Sequence, residues 1–284
     1  CAGSLLGVAL HQGTSFPVGK VEFLDLYPLS FSEFLMAMGK DRYVELLNQG
    51  DFDMATMFKQ DYSDLLKQDF SKHAPNETVP RIRMLWNSIP AQLAKENRKF
   101  IYGLIKEGAR AKEYELAMLW LTDCGLVHKI HRVSAPNLPL KAYEDLKAFK
   151  LFLLDVGLLS CMVGLRQDVL LDGNELFKEF KGALTEQYVL QQLKTIKGLN
   201  IYYWTADRGT AEVDFVIDNG KDVIPVEVKA EVNLQAKSLK VYREKFQPQL
   251  SIRTSMADYK KEDWLLNLPL WAIDTFGTQE MMCI

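Results

Sequence analysis

The chain of 284 residues has few cysteines, no long apolar run and little net charge. Its four cysteines (Cys1, Cys124, Cys161 and Cys283) are scattered, without a Cys-x-x-Cys pair or a histidine at ligand spacing. This pattern argues against a zinc site or a disulfide framework and favours a reducing compartment, the cytoplasm. The apolar stretches all fall far short of the roughly 20 residues that a bilayer requires, so we expect no membrane partner. The net charge of −3 is not that of a protein that coats a polyanion.

A second absence concerns nucleotide hydrolysis. No string of the form G-x-x-x-x-G-K-[ST] occurs, so no such loop cradles the β- and γ-phosphates of ATP with backbone amides. No apolar strand ending in paired acids stands ahead of Cys1 to hold the Mg²⁺ of a nucleotide. We therefore expect no ATPase activity from this chain alone. Because the sequence starts in the middle of a pattern and without an initiator methionine, we also expect it to be part of a longer protein.

The first of three regions, residues 1–79, is predicted to hold a strand followed by acidic helices. Residues 20–26 alternate in period two after a turn at 17–19, which indicates a strand. Ser30 and Glu33 stand at the spacing of a capping box ahead of an amphipathic pattern, which indicates a capped helix. From Glu33 to Glu77 there are nine carboxylates against five Lys and Arg, so this stretch is acidic.

In the second region, residues 80–165, the charge reverses. Residues 81–132 hold ten basic and five acidic residues. The predicted order is a helix to about 96, a short strand at 100–104 and a small helix. A periodic helix over 112–123 follows, ending before Gly125, and then strands at 126–133 and 149–155. This is the order of a winged helix-turn-helix.

Two interpretations of this basic region stay open. In the first, a winged helix contacts DNA through Lys112 on its recognition helix and through Lys129, His131 and Arg132 near the wing. In the second, the region packs against its neighbours, and its charges form a solvated face or pair with the acidic stretch. An excess of five positive charges over 81–132 is modest beside that of dedicated DNA-binding domains.

The third region, residues 166–284, alternates helices with short strands. Helices are predicted at 175–196 and 234–246. Strands are predicted at 201–204, 211–217, 223–229, 250–254 and 268–273. Helices that flank a short mixed sheet indicate the α/β class.

Three charged residues interrupt the apolar strands of this third region. Asp214 lies within 213–217, and Glu227 and Lys229 close the strand 223–229. Side chains two residues apart share one face of a strand, so Glu227 and Lys229 project together, and Asp214 joins them if the strands are neighbours. Because buried sheets rarely hold such groups unless they pair or bind something, we predict a Mg²⁺ site on Asp214 and Glu227. Lys229 would then position the water that attacks a phosphodiester.

The order and types of these residues resemble the PD-(D/E)XK nuclease superfamily over about 175–256. The resemblance rests on Glu186 on a helix, Asp214 on one strand and Glu227-x-Lys229 on the next. It implies a restriction-endonuclease-like fold in which these residues are catalytic. For Glu186 two interpretations stay open: it supports the metal, as a direct ligand or from behind the ligands, or it is a solvent-facing carboxylate of its helix. Pro225 departs from the expected pattern, because proline lacks a donor for the ladder of a central strand.

The whole chain resembles the C-terminal part of prokaryotic AAA-type ATPases. The strings at 16–21 and 26–34 are similar to the end of their ATPase module. Those at 154–159, 202–204 and 212–215 are similar to their C-terminal domain of unknown function, which has a nuclease-like fold. The resemblance implies that Ser4 ends the strand that carries the nucleotide-sensing residue, and that ATP binds only in the parent protein. Gly19-Lys20 stands where many members have Gly-Arg, which weakens an arginine-finger assignment.

The sequence leaves two functional hypotheses. In one, the nuclease-like domain of an AAA-type ATPase hydrolyses phosphodiesters with Mg²⁺ while the winged helix presents DNA. In the other, the same domains form a non-catalytic recognition or assembly module that engages a protein partner or a second copy. The acids are then retained for folding, since a fold does not by itself imply an activity.

Overall fold

The computed structural model describes residues 27–37, 39, 41–48, 77–95, 99–164, 178–207, 210–232 and 235–277. Ser4, the strand expected at 20–26 and most of the acidic stretch lie outside these residues. The α-helices are α1 (Phe31–Ala37), α2 (Asp41–Asn48), α3 (Val79–Ala94), α4 (Ala111–Asp123), α5 (Val156–Met162), α6 (Lys178–Thr195) and α7 (Lys237–Phe246). Short 3₁₀ helices span Tyr102–Leu104, Leu140–Tyr143 and Leu270–Gly277.

The capping box predicted ahead of α1 is confirmed. Ser30 donates its backbone N–H to Glu33 Oε2 at 2.8 Å, and Glu33 donates its N–H to Ser30 Oγ at 3.2 Å. The next two amides at this helix end also find side-chain acceptors, since Phe31 donates to Gln192 Oε1 and Ser32 to Asp274 Oδ2. Hydrogen bonds to α6 and to the last 3₁₀ helix thus anchor the start of α1.

The strands form one mixed sheet. They are β1 (Val127–Val133), β2 (Glu144–Leu153), β3 (Asn200–Thr205), β4 (Glu212–Asp218), β5 (Val223–Val228), β6 (Ser251–Ser255), β7 (Lys260–Lys261) and β8 (Leu265–Pro269). Their order across the sheet is β2-β1-β3-β4-β5-β6-β8-β7. β1 and β2 form an antiparallel pair, β3, β4 and β5 form an antiparallel series, and β5, β6 and β8 run parallel. The predicted α/β class is confirmed in this coarse form.

The β1–β2 hairpin of the second region extends the sheet of the third region. β1 lies parallel to β3, and the two strands pair at Arg132 and Tyr203. The hairpin is irregular at the same place, because its register shifts between His131 and Arg132. A hairpin expected as the wing of a separate module is therefore continuous with the C-terminal strands.

Helices cover the two faces of the sheet through two apolar clusters. On one face, Leu190 of α6 lies in a cluster with Val226 and Val228 of β5. On the other face, Leu239 of α7 lies in a cluster with Trp204 of β3. Because successive side chains of a strand point to opposite faces, this arrangement decides which helix each residue of β5 meets.

Two local predictions differ from the structure, whereas Pro225 is accommodated in its predicted strand. The strand expected at 100–104 is replaced by a 3₁₀ turn, and only the Phe100 N–H bonds the backbone of β2, at Phe149 O and 2.6 Å. The last strand ends at Pro269 and continues as a 3₁₀ helix instead of running to 273. Pro225 does lie inside β5, but the pairing with β6 begins one residue later, at Val226, so proline interrupts no ladder there.

The side chain of Gln187 in α6 forms hydrogen bonds with the backbone at the end of β2, which is an edge strand of the sheet. Its Nε2 donates to Leu153 O at 2.7 Å, and its Oε1 accepts the Leu153 N–H at 2.9 Å. The side chain is fully buried, so water cannot replace either bond. One amide thus satisfies two backbone groups of the sheet and joins α6 to the hairpin.

Replacing Gln187 by methionine, which is similar in size, is expected to lower the free energy of unfolding by about 2–4 kcal/mol, because two buried backbone groups lose their partners. Urea denaturation measures the change. The same substitution at exposed Gln249 is the control, and we expect it to stay within about 0.5 kcal/mol of the wild type. Equal losses in both variants would contradict this role of Gln187.

Candidate functional site

Asp214 lies where β4 and β5 separate. The antiparallel register of the two strands ends at the pair Phe215 and Val226. One residue further, Asp214 Oδ2 accepts the N–H of Val228 at 2.7 Å, so the carboxylate takes the place of a backbone partner. The separation of the strands therefore turns an acidic side chain into part of the sheet's hydrogen bonding.

The ammonium group of Lys150, from β2, lies among the acids around Asp214. Its Nζ is 2.5 Å from Glu212 Oε1 and 3.5 Å from Glu186 Oε2. The Nζ also lies 5.5 Å from the ring centroid of Tyr203, a distance that allows a cation–π contact. The Lys150 side chain is only 8% exposed. We name Lys150, Glu186, Glu212 and Asp214 the Lys150 cluster.

The charges in the Lys150 cluster influence one another strongly. Burial alone would lower the pKa of Lys150, but the surrounding carboxylates outweigh burial and raise the pKa above its ordinary value. Burial, and after it the charge of Glu186, raises the pKa of Asp214 well above its ordinary value. Lys150 is therefore held charged, whereas Asp214 is pushed toward its neutral form.

Glu227 and Lys229 form a second, separate pair. Glu227 Oε1 is 2.7 Å from Lys229 Nζ, and Glu227 Oε2 accepts the N–H of Leu239 at 3.3 Å, in the first turn of α7. The two side chains are 4% and 34% exposed, respectively. A carboxylate at this place also interacts favourably with the dipole of α7.

The alternation of β5 explains why Asp214 and Glu227 do not share a site. Val226 and Val228 face α6, so Glu227 between them faces α7. The Asp214 carboxyl group lies instead with Glu186 of α6. The structure thus brings together two predicted site residues, Asp214 and Glu186, and pairs the other two with each other. In the part of the chain that the structure describes, no group of three or more His, Cys, Asp and Glu side chains is placed to hold a metal ion.

The first two basic residues predicted to contact DNA lie in different surroundings. Lys112 is exposed in the first turn of α4. Lys129 lies with its Nζ 4.3 Å from the ring centroid of Phe149 in β2, and burial lowers its pKa. Lys129 is therefore engaged by an aromatic ring of the hairpin itself.

The other two predicted DNA contacts, His131 and Arg132, pair with acids of β2. His131 Nδ1 contacts Glu144 Oε1. Arg132 Nη2 lies 2.6 Å from Asp145 Oδ2, and its Nη1 donates to Thr205 Oγ1 at 3.2 Å. These side chains support the junction of the hairpin with β3.

Sequence reasoning missed two members of the Lys150 cluster. Lys150 is the one charged residue among the apolar residues 148–154, and this isolation was a usable signal. Glu212 stands two residues before Asp214, where a regular strand would place both on one face. Neither signal predicts that Lys150 and Glu212 lie close together, because their proximity depends on how the hairpin joins β3.

Two segments of the chain match known family models. Residues 44–169 match DUF8612 and residues 181–273 match DUF4143, both described as domains of unknown function. Domains of the DUF4143 type are commonly found in AAA-ATPase-associated proteins. Neither the curated proteins nor the solved structures contain a significant match to the chain. Within the described ranges, none of the helices has the length and apolar character needed to cross a membrane. The two matched segments follow one another along the chain and together span most of the residues from 44 to 273.

Proposed function

We infer that this chain is a non-catalytic recognition or assembly module of an AAA-type ATPase, built on a nuclease-like fold whose acidic site is closed by an internal ion pair. The observation that carries this proposal is the position of Lys150. Its ammonium group lies among three carboxyl groups, and two of them, those of Asp214 and Glu186, belong to residues that the nuclease resemblance implies as catalytic.

The ammonium group performs the electrostatic role that Mg²⁺ would perform. Neighbouring carboxylates repel one another, and a nearby cation removes the repulsion. Lys150 supplies that cation from within the chain, and the Lys150 cluster needs no divalent ion to be stable. To bind there, Mg²⁺ would have to displace a lysine that is only 8% exposed and 2.5 Å from Glu212. Such a displacement would leave an unpaired buried ammonium, which is strongly unfavourable.

Protonation weakens Asp214 further as a ligand. Magnesium binds ionised carboxylates, whereas the burial of Asp214 and the charge of Glu186 favour its neutral form. Its Oδ2 is also occupied by the Val228 N–H. Glu227, the second expected ligand, is held by Leu239 and Lys229 on the face that α7 covers.

The nuclease-like fold is proposed from the order of the helices and strands along the chain. α6, β3, β4, β5 and α7 follow one another as in the resemblance to PD-(D/E)XK nucleases, with Glu186, Asp214 and Glu227 on the expected elements. Helix α4 followed by the β1–β2 hairpin supports a winged-helix origin for the second region. The DUF4143 match supports the link to AAA-type ATPases.

The exposed side of α4 suits a protein partner better than a phosphate backbone. Leu116 and Leu119 are 69% and 52% exposed. Glu113 and Glu115 are exposed on the same helix, and Lys112 is the one basic residue of α4. Acidic residues beside apolar ones complement a segment that is apolar on one side and basic on the other, whereas they repel DNA. We therefore assign α4 to a basic amphipathic segment of a protein partner.

The closed acidic site is tested by replacing Lys150 with methionine. We expect the free energy of unfolding to fall by about 3–5 kcal/mol, because buried acids lose their counter-charge. Mn²⁺ should then restore part of this loss by binding the freed carboxylates, while it leaves the melting temperature of the wild type unchanged. Lys147→Met, an exposed change on the same strand, is the control and should respond like the wild type.

Catalysis itself is tested by plasmid nicking with Mg²⁺ and Mn²⁺. We expect the wild type to nick no more plasmid than a reaction without protein does. Asp214→Asn and Glu227→Gln should give the same result as the wild type. Metal-dependent nicking by the wild type that disappears in both variants would overturn the proposal in favour of a Mg²⁺-dependent nuclease.

The pH dependence of stability is expected to report the protonation of Asp214. Because its folded pKa lies above the unfolded value of about 3.8, the protonated carboxyl stabilises the fold at low pH, and that contribution is lost as pH rises through the folded pKa. Asp214→Asn keeps an acceptor for Val228 but cannot ionise. Its free energy of unfolding should therefore exceed that of the wild type increasingly as pH rises from 4. A constant difference between the two proteins over this range would contradict the assignment.

The leucines of α4 are expected to serve binding and not stability. Leu116→Asp/Leu119→Asp should change the free energy of unfolding by less than about 1 kcal/mol, whereas Leu121→Ala, fully buried in the same helix, should cost about 2–5 kcal/mol.

Calorimetry with a designed Leu/Lys amphipathic peptide tests the docking. We expect the double variant to bind at least about tenfold more weakly than the wild type, and Val232→Asp, a change at another exposed apolar residue, to bind like the wild type. Equal binding by all three proteins would remove α4 as the docking surface.

A further inference from the structure

A groove along α7 gathers basic side chains on the face of the sheet opposite to α6. Lys237, Lys240 and Arg243 follow one another at intervals of three residues, so they lie along one side of the helix. All three are exposed. The strand end at Trp264 and Leu265 lies across from them and forms the other wall.

The space between these walls consists of two adjoining cavities. They have volumes of about 400 Å³ and 520 Å³. Lys240 and Trp264 line both, which makes the two one continuous groove. A space of this size is in the range that holds a small ligand.

Arg253 of β6 places a buried positive charge in the wall of the smaller cavity. Its side chain is 2% exposed, and its Nε donates to Asn267 Oδ1 at 2.9 Å. Asn267 also accepts from Ser255 and donates to the backbone carbonyls of Ala257 and Asp258, so its own orientation is fixed. The guanidinium group is therefore held in one position before any ligand arrives.

The acids near the groove do not cancel its charge. Glu262 lies 3.9 Å from Arg253 Nη2 but closer to Lys260, at 3.1 Å. Glu227 also acts on Arg253, and it is already paired with Lys229. Among the residues that line the groove, four are cationic and only Glu244 and Glu262 are acidic. The groove thus keeps an excess of positive charge.

Arg243 adds a planar donor of defined orientation. Its guanidinium carbon lies 4.7 Å from the ring centroid of Trp264, which holds the group against the indole. A guanidinium group offers paired N–H donors that match phosphate oxygens, and lysines add mobile ammonium groups. The groove combines both kinds of donor around one space.

We propose that this groove, formed by Lys237, Lys240, Arg243, Arg253 and Trp264, binds a phosphate-bearing ligand. The bound phosphate lies between the α7 lysines and the two guanidinium groups. The proposal goes beyond the recognition function and does not rest on it, because the groove shares no residue with the Lys150 cluster or with the exposed side of α4. Failure of either proposal leaves the other intact.

Calorimetric titration of the full chain with pyrophosphate tests the groove. Charge reversal at Lys240→Glu and Arg243→Glu is expected to weaken binding at least about tenfold each, since a lost charge-assisted hydrogen bond is worth about 1.5–3 kcal/mol. Lys245→Glu is the matched control, because Lys245 lies on the same helix but lines neither cavity. It should change the affinity by less than about threefold, the residual long-range effect of an exposed charge.

Two further titrations identify the source of the phosphate. A short oligothymidylate that binds much more tightly than pyrophosphate, with the same loss in the Lys240 and Arg243 variants, supports a nucleic-acid backbone as the ligand. Equal affinity for both supports a free phosphate or nucleotide. Absence of binding to either ligand overturns the proposal. Two further outcomes overturn the proposal: citrate binds as tightly as pyrophosphate, or all three charge reversals weaken binding equally. In either case the groove attracts anions without selecting phosphate.

Discussion

The ion pairs of Lys150 join parts of the chain that are distant in sequence. Lys150 belongs to β2, within the segment that matches DUF8612, whereas Glu186 and Glu212 belong to α6 and β4, within the segment that matches DUF4143. Buried charges are stable only when they are paired, so these contacts require the hairpin and the C-terminal sheet to stay in one arrangement. The parallel pairing of Arg132 with Tyr203 and the bonds from Gln187 to Leu153 reinforce the same junction. The two matched segments are therefore joined at one place by backbone pairing, by the side-chain amide of Gln187 and by ion pairs.

The requirement that buried charges be paired is met differently on the two faces of the sheet. On the α6 face, Lys150 of the chain lies 2.5 Å from Glu212 and 3.5 Å from Glu186, so a cation of the protein itself faces these acids. On the α7 face, the acid Glu227 is bound by Leu239 and Lys229, while the lysines of α7 face open space. A strand that sends neighbouring side chains to opposite faces can keep these electrostatic environments apart although Asp214 and Glu227 lie on adjacent strands.

Local features of the fold could be predicted from the sequence, whereas the arrangement of the site could not. The capping box of Ser30 and Glu33, the left-handed Gly125 after α4 and most strand positions follow from short-range patterns, and the structure confirms them. The predicted meeting of Asp214 with Glu227 required knowledge of the face each residue occupies. Along β4, the alternation of side chains between the two faces of the sheet is interrupted near Asp214, because the register of β3 with β4 shifts between Tyr202 and Trp204. A bulge of this kind leaves no clear mark in one sequence.

On the nuclease-like fold that we propose, the position of Lys150 would let the acidic site keep its shape without a metal ion. Removing a metal from neighbouring acids leaves repulsion that must be relieved by neutralising them, replacing them or supplying another cation. This chain keeps the acids, supplies the cation from β2 and favours the neutral form of Asp214. The acids then contribute to folding, because each pairs with Lys150 or with the backbone of β5. The same acidic residues can thus form a metal centre or a structural ion pair, and the identity of the cation among them distinguishes the two.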